Sequence, residues 1–229
     1  MTTHFSGEAL QFLRELEGHN DRGWFEEHKP VYLSEVREPM LDLVNRVNES
    51  LAGFAPGHVR PPQKAIMRIY RDVRFSKDKS PYKTNVAASW PLGGSEKTGA
   101  GYFLSVSGHE VLVAGGSYAP SPEQLTAIRD HIVAHHGELR ALLADPRLTG
   151  MFDPADGNPL VRPPRGYPVD HPAVDLLRRR QWAARATLPA SVAETDAFLT
   201  LVIERFEALT PLIDFLNVPL ATLRLERRH

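Results

Sequence analysis

The sequence has no cysteine among its 229 residues. That absence removes disulfides, thiolate metal sites, iron–sulfur clusters and cysteine nucleophiles together. No apolar run approaches the ~18–20 residues that a membrane helix needs, so no membrane association is expected. The first residues carry no basic stretch followed by a hydrophobic one, so a secretory leader is not expected and the setting expected is cytoplasmic. Lysine is scarce, six against 21 arginines. The net charge is only −1, which makes nucleic acid an unfavoured partner for the molecule as a whole. What is present is an ordinary globular composition, 42% hydrophobic and 24% charged. Its length is enough to bury a real core, and one domain over residues 1–229 is expected.

The near-neutral total hides a local imbalance. Residues 1–50 carry ten acids and five bases, a net of −5. Residues 60–83 carry eight bases (Arg60, Lys64, Arg68, Arg71, Arg74, Lys77, Lys79, Lys83) against Asp72 and Asp78, a net of +6. Four of the six lysines fall in this one stretch. A compact ammonium and a planar guanidinium are not interchangeable, so the clustering points to positions that ask for lysine. Two readings follow. The basic segment holds an anion, or acidic helices pack beside it and neutralise it.

Hydrophobic spacing predicts helices over the first fifty residues. Ala9, Leu10, Phe12, Leu13 and Leu16 share one face, and Tyr32, Val36, Met40, Leu43, Val44, Val47 and Leu51 share another. Pro30 is expected to break or restart the chain there, and Pro39 to kink it or mark a boundary between two helices. Residues 65–70 read as a strand, with Met67 and Ile69 on one face and Arg68, Tyr70 and Asp72 on the other. Strands are also expected at 85–90 and 181–188, with a hairpin around Gly108-His109. Gly115-Gly116 would let the second hairpin strand bend. Ser121, Pro122 and Gln124 open a helix, and Ser191 with Glu194 is expected to open the last one. Pro211 is expected to interrupt that helix, with an end near Asn217-Val218-Pro219. Helices, then strands, then mixed elements argue for α+β, with a mostly antiparallel central sheet and N-terminal and C-terminal helices packed on it.

The most distinctive stretch runs Arg68-Ile69-Tyr70-Arg71-Asp72-Val73-Arg74-Phe75-Ser76-Lys77-Asp78-Lys79-Ser80-Pro81-Tyr82-Lys83-Thr84-Asn85. It accompanies Asn20-Asp21-Arg22-Gly23-Trp24-Phe25 near the start. Later come Arg162-Pro163-Pro164-Arg165-Gly166-Tyr167-Pro168 with Asp170-His171-Pro172, and Pro211-Leu212 with Phe215-Leu216-Asn217. Together these resemble the domain of unknown function 2461 family, along essentially the whole chain. The resemblance implies relatives without implying a reaction, a cofactor or an oligomeric state.

The chemistry is therefore read from side chains. Arginine forks bind phosphate or carboxylate bidentately and lysines add point charge. Arg68, Arg71, Arg74, Lys77, Lys79 and Lys83, with Asp72 and Tyr82 fixing their geometry, form a candidate site for a small phosphate- or carboxylate-bearing ligand. The alternatives are an interaction module for an acidic partner and a purely structural loop, in which Asp72 bridges Arg71 or Arg74 and Asp78 bridges Lys77 or Lys79. The glycine spacing of a Walker loop is absent, and no serine has the flanking glycines of a hydrolase elbow. His171, beside Asp170, is the candidate general base, against a plain reading as a helix cap. His131 and His135 stand at chelating helical spacing, but no metal site is assigned to them. Arg178, Arg179, Arg180 and Arg185 form a second basic cluster, read as solvated charge at a helix end. Tyr102 and Tyr167 are further candidate ligand contacts.

Overall fold

The structure, a computed structural model, describes residues 3–74, 76–94, 99–154 and 157–226. Phe75 of the basic stretch lies outside the described residues. The fold is α+β, with helices packed on a mostly antiparallel sheet. No helix among the described residues is long and apolar enough to cross a membrane.

The chain opens with α1 (Gly7–Gly18) and α2 (Arg22–Val31). Ser6 caps α1 by accepting from Ala9 N–H, and Asp21 caps α2 by accepting from Trp24 N–H. Pro30 lies inside α2 and does not end it. The chain instead widens into a π-helical turn, Tyr32–Arg37, and continues as α3 (Glu38–Phe54). Glu38 N–H reaches back to Leu33 C=O. That wider turn keeps the chain helical up to Pro39, whose ring would clash with a regular preceding turn. The break expected at Pro30 does not occur, and Pro39 stands in the first turn of α3, at a boundary between two helical segments.

A short α4 (Pro62–Ala65) precedes the basic stretch. The sheet follows, from β1 (Asn85–Pro91), β2 (Gly101–Ser107), β3 (Glu110–Ser117), β4 (Asp153–Pro154) and β5 (Trp182–Pro189). Its order is β1-β2-β3-β5-β4. The hairpin of β2 and β3 turns at Gly108-His109 as the sequence predicts. On the edge, β4 runs antiparallel to β5 with Asp153 opposite Arg185. The helices α5 (Pro122–Leu143), α6 (Pro146–Met151), α7 (Val174–Leu177) and α8 (Phe198–Glu226) complete the chain. A full capping box opens α5: Ser121 accepts from Gln124 N–H, and Gln124 accepts from Ser121 N–H.

Two expectations for the C-terminal region fail. Ser191 and Glu194 lie in a 3-10 turn, and the helix begins at Phe198. It then runs through both Pro211 and Pro219. A proline in a helix interior costs about 3 kcal/mol. Here Phe206, Leu209, Leu212, Ile213, Leu216 and Leu220 are all buried. Each fully buried apolar side chain contributes roughly 1.5–3 kcal/mol, so packing outweighs the local penalties.

Contacts group the described chain into two compact units. The first comprises residues 1–89, 103–113 and 187–204. Its core includes Phe12, Phe25, Met40, Val44 and Leu51. The second comprises residues 90–102, 114–186 and 205–229. Its core includes Trp90, Tyr102, Ile128, Trp182, Phe206 and Leu216. Trp90 and Tyr102 both pack on Phe206, with ring centroids 5.4 and 4.8 Å away.

Candidate anion-binding loop

The basic stretch is not the regular strand that its alternation predicts. Two isolated antiparallel bridges join it to the following segment, Ile66 with Ala88 and Tyr70 with Tyr82. Met67 N–H donates to Ala87 C=O at 2.8 Å, and Lys83 N–H to Ile69 C=O at 2.7 Å. From 66 to 70 is four steps and from 82 to 88 is six, so residues 84–86 stand against Arg68 alone. This bulge is why no continuous ladder forms. Part of the expected burial pattern survives it. Ile69 is buried, while Arg68, Tyr70 and Asp72 are exposed. Residues 71–81 form the loop of this irregular hairpin, closed by Arg71 N–H donating to Pro81 C=O at 2.9 Å.

The loop is seated by the N-terminal helices. Asn20, just ahead of α2, brackets Tyr82 on both sides of its peptide backbone. Its Oδ1 accepts from Tyr82 N–H at 3.0 Å and its Nδ2 donates to Tyr82 C=O at 3.1 Å. The Tyr82 ring is buried and stacks on Phe25 with centroids 4.0 Å apart. Tyr70 contacts Tyr82 at 5.4 Å, tilted by 45°, and is itself half exposed. Tyr82 therefore anchors the loop from below. Sequence reasoning assigned no such role to Asn20. The pairing spans 62 positions, and its only local trace is a polar residue at a helix start.

Within the loop, two aspartates organise the bases. Asp72 takes a fork from Arg74, with Nε at 2.9 Å and Nη2 at 2.7 Å. Asp78 accepts from the Ser80 hydroxyl at 2.6 Å and from Ser80 N–H at 2.9 Å, and it is also ion-paired with Arg71. The Asp72–Arg74 bridge is one of those expected. Asp78 pairs with Arg71 in place of Lys77 or Lys79, because the hairpin closure brings residues 71 and 78 together. Lys79 donates instead to Val73 C=O at 2.9 Å. Lys77 and Arg68 are exposed and hold no ion pair among the described residues. Lys83 is half-buried beside Tyr82. The ion pairs of Arg71 and Asp78, and of Arg74 and Asp72, lie inside the loop.

The hydrogen bonds from Ser80, and then Arg71, hold the Asp78 carboxyl well below the ordinary carboxylate range. The bonds from Arg74 lower Asp72 in the same direction. A folded-state value that is depressed contributes stability above the ordinary range. That contribution is lost as pH falls through the range toward the folded value. At about pH 3, where ordinary aspartates are mostly protonated, Asp78 should still be ionised in a carboxylate NMR titration. Ser80→Ala should raise its midpoint. A titration of Asp78 together with the bulk carboxylates would contradict this account of the loop.

The remaining candidates have local duties. His171 Nδ1 accepts from Ala173 N–H at 3.1 Å, a turn-capping role just ahead of α7. Its ring meets His136 edge-on at 5.7 Å. The rings of His131 and His135 lie 4.4 Å apart, and His131 also rests on Phe215. His135 is exposed and sits at a kink in α5. No group of three or more potential metal ligands gathers among the described residues. Arg178 and Arg180 donate to Leu160 C=O and Asn158 C=O at 2.6 and 2.8 Å, so this cluster ties down a loop. Tyr102 is buried and hydrogen-bonded to Thr210 at 2.9 Å. Tyr167 donates to Asp130 at 2.7 Å, and burial together with that bond pushes its hydroxyl up to about 12. Arg129, buried beside it, donates to Leu177 C=O at 2.9 Å and Arg179 C=O at 3.0 Å. An open groove of about 530 Å³ along α3 is lined by Asp42, Asn45, Arg46, Asn48 and Glu49. None of the residues expected to bind an anion lines it.

Comparison with curated proteins and with solved structures finds no match. A family model does match, over residues 8–215, and its span includes the Asn20 seat and the whole basic hairpin. The chain belongs to the family described as Conserved hypothetical protein (DUF2461).

Proposed function

We propose that the 71–81 loop and its base form an anion-recognition element for phosphate- or carboxylate-bearing groups. The observation that carries this reading is the division of labour among its charges. Asp78, Ser80 and Arg71 serve the loop's own turn, and Asp72 orients Arg74. Arg68 and Lys77 are left exposed and without ion pairs among the described residues. From Arg68 to Lys83, six bases stand against two acids, a net of +4. Repulsion among them is relieved by an incoming anion, and charge-assisted hydrogen bonds to it are the strong kind. The setting proposed is the cytoplasm, where phosphorylated and carboxylated solutes are abundant. The same exposure favours a second reading, in which the loop docks an acidic partner protein at a polar surface.

Thermal-shift and calorimetric titrations with inorganic phosphate and with a dicarboxylate test the first reading. A ligand at ~100 times its dissociation constant stabilises by roughly 2.7 kcal/mol. For a chain of this size that is roughly 5–10 °C in Tm. An Arg68→Ala, Lys77→Ala double variant should fold normally, since neither side chain holds an ion pair among the described residues, and should lose most of the shift. The shift should also shrink with added salt. An unchanged shift in the variant, or none in the parent with either anion, would overturn the proposal.

A further inference from the structure

We propose that the anion taken by this loop is a nucleoside phosphate, with Tyr70 as the platform for its base. The inference rests on the anion-binding reading above and names its ligand class. Its basis is a cluster of three aromatic rings. Phe25 is buried, Tyr82 stacks on it at 4.0 Å and 21°, and Tyr70 contacts Tyr82 at 5.4 Å with its plane tilted by 45°. Tyr70 is 50% exposed. A tyrosine held by a cross-strand partner and a buried stack keeps a fixed orientation, so little side-chain entropy is lost when a planar group covers it. Base–aromatic stacking has this form, and it tolerates any base because each has a π-face.

Arg68 and Asp72 stand two residues before and after Tyr70, and all three are exposed. Arg68 has no ion pair among the described residues, while Asp72 is engaged by Arg74. The loop carries Lys77, also exposed. Lys29 of α2 interacts electrostatically with the phenols of Tyr70 and Tyr82 while it is paired with Glu26 at 2.9 Å. An exposed aromatic ring thus stands on the segment that carries the exposed Arg68. A free phosphate uses only the cations. A nucleoside phosphate uses both.

The test compares pyrophosphate, ribose 5-phosphate and adenosine diphosphate by isothermal titration calorimetry at fixed ionic strength. Parent protein, Tyr70→Ala and Tyr70→Phe are measured in parallel. The diphosphate nucleotide should bind about tenfold tighter than pyrophosphate. Tyr70→Ala should remove about that factor and leave pyrophosphate unchanged, and Tyr70→Phe should retain it. Equal binding of pyrophosphate and nucleotide, or equal weakening of both in Tyr70→Ala, overturns the platform while leaving an anion loop standing. Absence of binding by all three phosphates overturns both.

Discussion

Replacing Tyr82 with alanine should destabilise the protein by roughly 3–5 kcal/mol, the usual range for removing a buried aromatic ring. Tyr82 is the joint between the N-terminal helices and the basic hairpin. Its ring stacks on Phe25 and contacts Tyr70. Its backbone is held at N–H and C=O by Asn20. The truncation opens a cavity against Phe25 and leaves Tyr70 without its partner. Two hairpin bonds flank the joint, Arg71 N–H to Pro81 and Lys83 N–H to Ile69, and their amides should lose protection from exchange. Tyr82→Phe keeps the ring and should cost less than about 1 kcal/mol. Asn20→Ala belongs between the two, because each buried backbone group left unpaired costs ~1–3 kcal/mol. Denaturant unfolding of the three variants gives the ranking. A Tyr82→Ala loss below about 1 kcal/mol would mean that the helices do not seat the hairpin through this residue.

The same region marks how far the sequence carries. Alternation set Ile69 apart from Arg68, Tyr70 and Asp72, and the structure buries the first and exposes the other three, because hydrophobic contrast between neighbouring positions is a local property. The bulge at residues 84–86 was not legible. It arises from how two segments pair, and neither segment records its partner's register. The fold class followed from the order of helix-like and strand-like patterns, and the α5 capping box from three adjacent residues. Pro211 and Pro219 misled for the opposite reason. Their local cost is real, but the apolar burial that overrides it belongs to the folded core. For the candidate loop, the bases and their two aspartates were legible as a set. The pairing of Asp78 with Arg71 depends on the hairpin's closure, and Asn20 meets Tyr82 only across the fold.

The sharpest test of the second unit is a pair of adjacent glycines near the end of β3. Gly115→Ala and Gly116→Ala add the same methyl group one residue apart, and their effects should differ severalfold. A Cβ at Gly116 would lie 2.2 Å from Trp182 C=O and 2.7 Å from Ala183 Cα, and the backbone there has φ of 123°. Both obstacles are main chain of β5, which cannot swing aside without breaking its place in the sheet. Overpacking of ~1–3 kcal/mol adds to backbone strain of ~1–3 kcal/mol, for a loss of roughly 2–6 kcal/mol. For a chain of this length that lowers Tm by roughly 5–20 °C. At Gly115 the new Cβ meets chiefly side-chain tips, Leu209 Cδ1 at 2.9 Å and Ile213 Cδ1 at 3.0 Å, with Gly101 C=O at 3.3 Å. Leucine and isoleucine ends can rotate away, and alanine lowers the entropy of the unfolded chain by ~0.4–1 kcal/mol. Gly115→Ala should therefore cost no more than about 1–2 kcal/mol. Thermal unfolding of both variants decides the matter. Equal losses would mean that β3 and β5 do not approach at Gly116 as closely as the backbone places them. A larger loss at Gly116 identifies that glycine as the residue that lets the two strands pair.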